Sequence, residues 1–74
     1  MKIATYKDFE IIEKLEKTIE KLKKSDFSQV KKLSNLPYFR IKVNYEDRII
    51  FTFFRYMNEN YILLLEYIKN HEEI

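Results

Sequence analysis

Cysteine and glycine are both absent from this 74-residue chain, and each absence excludes a class of site. Without cysteine there is no disulfide framework and no thiolate ligand, and a single histidine leaves a metal ion almost nothing but carboxylates. Without glycine there is no Gly-rich loop that could cradle phosphates, which excludes the nucleotide-binding folds built on such loops. The sequence therefore predicts no metal site and no cofactor.

Long apolar runs are missing as well. No stretch approaches the roughly 20 apolar residues that a membrane-spanning helix needs. Residues 1–7 lack the apolar centre of a signal peptide, and the lack of cysteine fits a reducing compartment. We therefore expect a cytoplasmic protein with no membrane partner.

The charged and aromatic residues carry most of the remaining information. Six Phe and six Tyr, together with Ile and Leu, supply the core of what we expect to be a single domain over residues 1–74. The net charge is only +2, but the segment from Lys14 to Arg48 holds ten Lys or Arg against five Asp or Glu. The middle of the chain is therefore the part suited to a polyanionic partner.

Apolar residues at steps of three and four predict an amphipathic helix over roughly residues 7–24. Charged residues fill the intervening positions, mostly with a Glu four residues before a Lys, an order that supports a helix. Residues 2–6 fit either a short first strand or a lead-in to this helix. The apolar stripe consists of Phe9, Ile12, Leu15, Ile19 and Leu22.

A second, shorter helix is predicted between Asp26 and Pro37. Asp26 resembles an N-cap because Gln29 follows three residues later. Proline ends the helix, since it disfavours a helical residue before it. The apolar stripe of this helix consists of Phe27, Val30 and Leu33. Together the two predicted helices form a helical hairpin.

Strict alternation of apolar and polar residues predicts a β-hairpin after the helices. The residues from 39 up to Asn44 alternate, four turn-like residues, 44–47, lead out of this stretch, and a β-branched and aromatic run begins at Arg48. A polar loop follows at residues 55–60, with two asparagines that tolerate positive φ, and a third strand at residues 61–68. The expected fold is α+β, in the order (β)ααβββ, with the helical hairpin packed on a small antiparallel sheet.

The segment YFRIKVNYEDRIIFTF, preceded by two predicted helices and a Leu-x-x-Leu-Pro connection, resembles the RelE/ParE toxin superfamily of bacterial toxin–antitoxin systems. The aliphatic third strand and the tail KNHEEI extend the resemblance over nearly the whole chain. The resemblance implies a RelE-like fold, neutralisation by an antitoxin protein, and ribosome-dependent cleavage of mRNA.

The same resemblance assigns roles to individual residues. Arg48 matches the arginine that stabilises the scissile phosphate in RNA-cleaving members. Arg40 and Lys42 match basic residues that bind the mRNA backbone or help activate the 2′-hydroxyl. His71 lies where the tail carries an arginine or another catalytic group, and it is the best candidate for proton transfer near neutral pH. Ile74 replaces a tail tyrosine and cannot transfer a proton.

Such chemistry is a transesterification, in which the 2′-oxygen attacks phosphorus and the 5′-oxygen leaves. It needs cations at the non-bridging oxygens together with a base and an acid, and arginine supplies a permanent charge that binds phosphate bidentately. Lys31 and Lys32 on the predicted second helix are further candidates for RNA binding.

Other interpretations of these residues remain open. Arg40 and Lys42 also fit a solvated sheet face, and Arg48 also fits a surface cation paired with Glu46 or Asp47. The tyrosines fit packing as well as base stacking. The competing functions are a ParE-like or catalytically inactive member that binds a protein such as a DNA gyrase, and a stand-alone interaction module or homodimer with an apolar surface.

Overall fold

The computed structural model describes residues 1–69, and most of them belong to one five-stranded sheet. The strands lie side by side in the order β1-β5-β4-β3-β2, and β1 is parallel to β5 while the other neighbours are antiparallel. Their bounds are β1 Lys2–Thr5, β2 Val30–Lys32, β3 Phe39–Lys42, β4 Arg48–Tyr56 and β5 Glu59–Ile68.

The predicted α+β fold with a helical hairpin on an antiparallel sheet is wrong. Over the described residues the helical part consists of a 3-10 helix, Glu13–Leu15, followed directly by α1, Glu16–Lys23. The fold is therefore mostly β, with a mixed sheet and one short helical segment. No helix within residues 1–69 has the length and apolar character required to cross a membrane.

The first helix begins later than the spacing predicts, because the backbone before it is not helical. Lys7 has a φ of 45°, which lies outside the right-handed helical region. Ile12 is extended, with φ −104° and ψ 164°, and the β-branched pair Ile11 and Ile12 has a low helix propensity. The inward-facing part of the stripe, including Leu15, is buried as expected.

An edge strand stands where the second helix was predicted. Asp26 Oδ1 accepts hydrogen bonds from the backbone N–H of Ser28 at 3.2 Å and from its hydroxyl at 2.8 Å, which closes a local turn instead of capping a helix. Ser25 and Asn35 both take a φ of 60°, so the chain bends before and after β2. Three-residue apolar spacing favours a helix locally, but pairing with β3 satisfies the backbone of this segment through a long-range contact.

The two hairpins of the sheet follow the sequence more closely. β3 and β4 pair antiparallel, with Phe39 opposite Phe51, as the alternation predicts. The predicted polar loop at residues 55–60 is instead a two-residue turn at Met57 and Asn58, whose φ values are 52° and 65°. Positive φ at both turn residues matches the twist of the flanking strands.

The helical segment covers one face of the sheet. Its buried residues pack against alternate residues of the three central strands, and together they form the core: Leu15, Ile19, Leu22, Ile41, Ile49, Phe51, Ile62 and Leu64. We call the opposite face the open face, because no helix in residues 1–69 lies over it. Side chains alternate between the two faces along β3 and β4, so Arg40 and Ile50 lie on the open face. The register of β4 with β5 shifts between Ile50 and Phe51.

Candidate anion-binding site

Four cationic side chains lie together at one end of the open face. The strand register places Lys31 opposite Arg40 and Lys42 opposite Arg48. Like charges directly opposite each other destabilise a strand pair, and within residues 1–69 no carboxylate forms a salt bridge with any of the four. We call these residues the cationic cluster. Its charge has no carboxylate partner in the described part of the chain.

The cationic cluster surrounds a small pit of about 40 Å³, which Gln29 also lines. This volume holds roughly one to three water molecules. Lys31 and Lys42 are exposed, and lysine side chains are flexible, so they can move aside to admit a larger anion. The arrangement is suited to holding oxygen atoms of a phosphate group between several donors.

Arg48 occupies a different position from the other three cations, because it is only 5% exposed. Its Nη1 donates to the carbonyl oxygens of Asn44 at 3.2 Å, Tyr45 at 3.3 Å and Asp47 at 3.0 Å. A guanidinium has five N–H donors, and no hydrogen bond from Nε or Nη2 to residues 1–69 is found. Arg48 therefore holds the turn between β3 and β4 through Nη1 alone. It does not pair with Glu46 or Asp47, and no other carboxylate of residues 1–69 forms a salt bridge with it.

The carboxylate of Asp47 binds the same turn on the helix-covered side. Its Oδ2 accepts hydrogen bonds from the Tyr67 hydroxyl at 2.5 Å, Lys14 Nζ at 3.2 Å and Asn44 Nδ2 at 3.4 Å. The tyrosine hydrogen bond and the nearby ammonium lower the pKa of Asp47 to about 2, against the opposing effect of burial. Burial, and then the hydrogen bond to Asp47, raise the pKa of Tyr67.

The side chain of Asn44 stabilises the turn by hydrogen bonds to the turn's own backbone. Its Oδ1 accepts hydrogen bonds from the backbone N–H groups of Glu46 and Asp47, both at 2.9 Å. Asparagine is well suited to this kind of local hydrogen bonding. The turn at residues 44–47 is thus held by Arg48 on the open face and by the Asp47 network on the other. The sequence predicted the turn but not the contacts of Lys14 and Tyr67 with Asp47. These two residues are far from Asp47 in the chain, so no local pattern links them to it.

The other residues that the sequence assigned to the site do not all lie near the pit. Lys31 joins the cationic cluster. Lys32 is paired opposite Phe39 and lies on the helix-covered side, away from the pit. His71, the predicted proton-transfer residue, and Ile74 lie outside the described residues.

An apolar groove of about 440 Å³ lies beside the pit and was not predicted from the sequence. Arg40 lines both the pit and the groove, and Glu66 is the other charged residue of the groove lining. The almost continuous apolar run of β4 does not tell which of its residues face the groove, and the predicted second helix left Leu33 off the sheet. The apolar lining consists of Tyr6, Leu33, Tyr38, Ile50, Leu65 and Ile68.

We expect Asp47 to stabilise the fold in a pH-dependent way. Its pKa is lowered from 3.8 to about 2, so its stabilising contribution is complete above the unfolded value and is lost as the pH falls through about 2. Asp47→Asn should therefore be less stable than the wild type near neutral pH, and the difference should shrink as the pH approaches 2. Urea unfolding followed by circular dichroism over this range tests the prediction.

Glu46→Gln is the matched control for that titration, because Glu46 belongs to the same turn but its side chain is exposed and accepts no hydrogen bond from residues 1–69. A stability difference between Asp47→Asn and the wild type that stayed constant with pH would contradict the assignment of the lowered pKa to Asp47.

Comparison of the chain with protein-family models, curated proteins and solved structures finds no match. The resemblance to the RelE/ParE superfamily therefore stays a prediction.

Proposed function

We propose that this protein binds RNA through the cationic cluster and acts as the toxin of a type II toxin–antitoxin system, cleaving mRNA on the ribosome in the cytoplasm. One observation carries the proposal. Two pairs of like charges face each other across neighbouring strands, with no carboxylate partner among residues 1–69. Such an arrangement costs stability on its own and is stabilised when a polyanion binds it.

The proposed reaction uses these cations for charge stabilisation. The 2′-hydroxyl of the RNA gives its proton to a base, its oxygen forms a bond to the adjacent phosphorus, and the bond to the 5′-oxygen breaks as that oxygen gains a proton. The products are a 2′,3′-cyclic phosphate and a 5′-hydroxyl. Arg40, Lys42 and Arg48 would face the non-bridging oxygens as negative charge grows on them. In this proposal His71 is the base that accepts the 2′-hydroxyl proton and then gives it to the departing 5′-oxygen, so the proton balance closes on one side chain.

The antitoxin partner follows from the same charge. A protein that keeps the toxin inactive must compete with RNA for the cationic cluster, and an acidic segment has the complementary charge for this. The proposed antitoxin therefore binds the open face.

Induced expression in bacteria tests the proposal when growth and mRNA 5′ ends are measured in the same cultures. The wild type should arrest growth and produce new 5′ ends by primer extension. The double variant Arg40→Gln/Lys42→Gln should produce about 100-fold fewer ends, the effect expected for losing a charge-stabilising donor. A matched double variant, Lys17→Gln/Lys32→Gln, has the same net charge but keeps the cationic cluster, so it should behave as the wild type. Normal growth with folded wild-type protein would contradict the proposal.

A second candidate function is binding without cleavage, as in a ParE-like or inactive member that acts on a protein such as a DNA gyrase. The composition of the pit favours it: within the described residues, four cations and one amide line the pit, with no carboxylate and no histidine. This candidate predicts growth arrest without new mRNA 5′ ends.

A further inference from the structure

We infer that the cationic cluster and the apolar groove form one site for an unpaired nucleotide, with its phosphate at the cluster and its base in the groove. The preferred ligand is then single-stranded RNA. This inference rests on the RNA binding proposed above and adds the class of RNA to it.

Arg40 joins the two halves of the site. It lines both the pit and the groove, and it lies in a row that crosses the open face in the order Lys31, Arg40, Ile50, Glu66. Neighbouring strands lie about 4.8 Å apart. A ligand whose phosphate contacts Arg40 therefore reaches the apolar floor of the groove at the next strand.

Two tyrosines border the groove from opposite sides of β4 and β5. Tyr6 extends β1, since its N–H donates to the carbonyl of Leu64 at 2.9 Å, and Tyr38 directly precedes β3. Tyr38 is 37% exposed, so part of its ring is available to a ligand. Aromatic side chains stack on any base, whereas the bases of a duplex have both faces covered by their neighbours. The groove therefore suits a base that is not part of a duplex.

The charges on the two sides of the groove set the orientation of the nucleotide. Cations lie on the β3 side, and the carboxylate of Glu66 lies on the β5 side, with Ile50 between them. A phosphate is attracted to the first side and repelled from the second. Glu66 can accept a hydrogen bond from an amino group on a base.

A second copy of this chain is a less suitable occupant. A symmetric contact would use the same patch on both copies. It would bring the two cationic clusters close together, and none of the four cations forms a salt bridge with a carboxylate of residues 1–69.

Fluorescence anisotropy with two RNA probes tests the inference. One probe is a labelled single strand of about 12 nucleotides, within the range of known single-strand sites, and the other is the same strand annealed to its complement. We expect the single strand to bind at least about 10-fold more tightly than the duplex, the difference made by one stacked base. Equal affinities would overturn the inference but leave RNA binding in place. No binding of either probe would overturn both the inference and the proposed function.

Variants separate the base half of the site from the phosphate half. Tyr38→Ala should weaken single-strand binding roughly 5- to 100-fold without changing its salt dependence, and Tyr38→Trp should keep the affinity. Arg40→Gln should instead reduce the slope of log affinity against log salt by about 0.7. Tyr56→Ala is the control, since Tyr56 is exposed at the far end of β4, outside the groove.

A loss of affinity in Tyr38→Ala equal to that in Tyr56→Ala would overturn the placement of the base. Sedimentation measurements on the same proteins test whether a second copy of this chain occupies the groove. A wild-type dimer that dissociates in Tyr38→Ala would assign the groove to a second copy and overturn the inference.

Discussion

Phe51→Ala should reduce the free energy of unfolding by about 3–5 kcal/mol, the usual cost of truncating a buried phenylalanine. Phe51 is 0% exposed, and its ring centroid lies 5.8 Å from that of Phe39 and 5.5 Å from that of Phe53. The substitution removes both aromatic contacts and opens a cavity beneath α1. A domain of this length has a total stability of only about 4–11 kcal/mol, so the variant should lose a large fraction of its stability and unfold at a much lower urea concentration than the wild type.

Phe54→Ala is the control for that experiment. Phe54 lies in the same strand on the open face and is 38% exposed, and its one aromatic contact within residues 1–69 is with Tyr61, at a centroid separation of 4.9 Å. Its truncation should cost no more than about 1.5 kcal/mol. Urea unfolding by circular dichroism compares the two variants. Equal losses would contradict the assignment of the two faces of β4.

The strands were more predictable than the helices for a physical reason. Alternation in β3 reports directly which face is buried, and the β-branched and aromatic run of β4 is typical of a strand. The hydrophobic core enforces the register of the pair. The stripe Phe27, Val30 and Leu33 has helical spacing, yet three residues of this segment pair with β3 instead. A short segment has little helical stability of its own, so a long-range backbone pairing decides its conformation. Local sequence carries no information about that partner.

The candidate site was predictable only where it depends on the same alternation. Arg40 and Lys42 share a face because they are two residues apart in one strand. Lys31 and Lys32 lie on opposite faces of the sheet because their segment is a strand. The predicted helix gave no reason to distinguish the two residues. The groove could not be predicted from the sequence for a related reason. Its lining residues belong to elements that become neighbours only in the folded sheet.

Arg48→Ala should lower the free energy of unfolding by about 2–4 kcal/mol, because it removes the charge-assisted hydrogen bonds that a buried guanidinium donates to the turn. Three carbonyl oxygens, those of Asn44, Tyr45 and Asp47, lose their contact with Nη1. Arg48→Met separates the contribution of the hydrogen bonds from that of side-chain packing, since methionine keeps an unbranched apolar stem but has no hydrogen-bond donor. If the hydrogen bonds carry the effect, Arg48→Met should be nearly as unstable as Arg48→Ala in urea unfolding.

Arg55→Ala, an exposed arginine at the other end of β4, should change the stability by less than about 0.5 kcal/mol. A wild-type stability for Arg48→Ala would show that the turn does not depend on the guanidinium. This distinction matters for the proposed function, because a loss of RNA cleavage on replacing Arg48 would then have two sources, the disordered turn and the missing phosphate donor. Salt titrations of RNA binding separate them: at a temperature where Arg48→Ala is folded, a slope reduced by about 0.7 relative to the wild type assigns Arg48 a phosphate contact of its own.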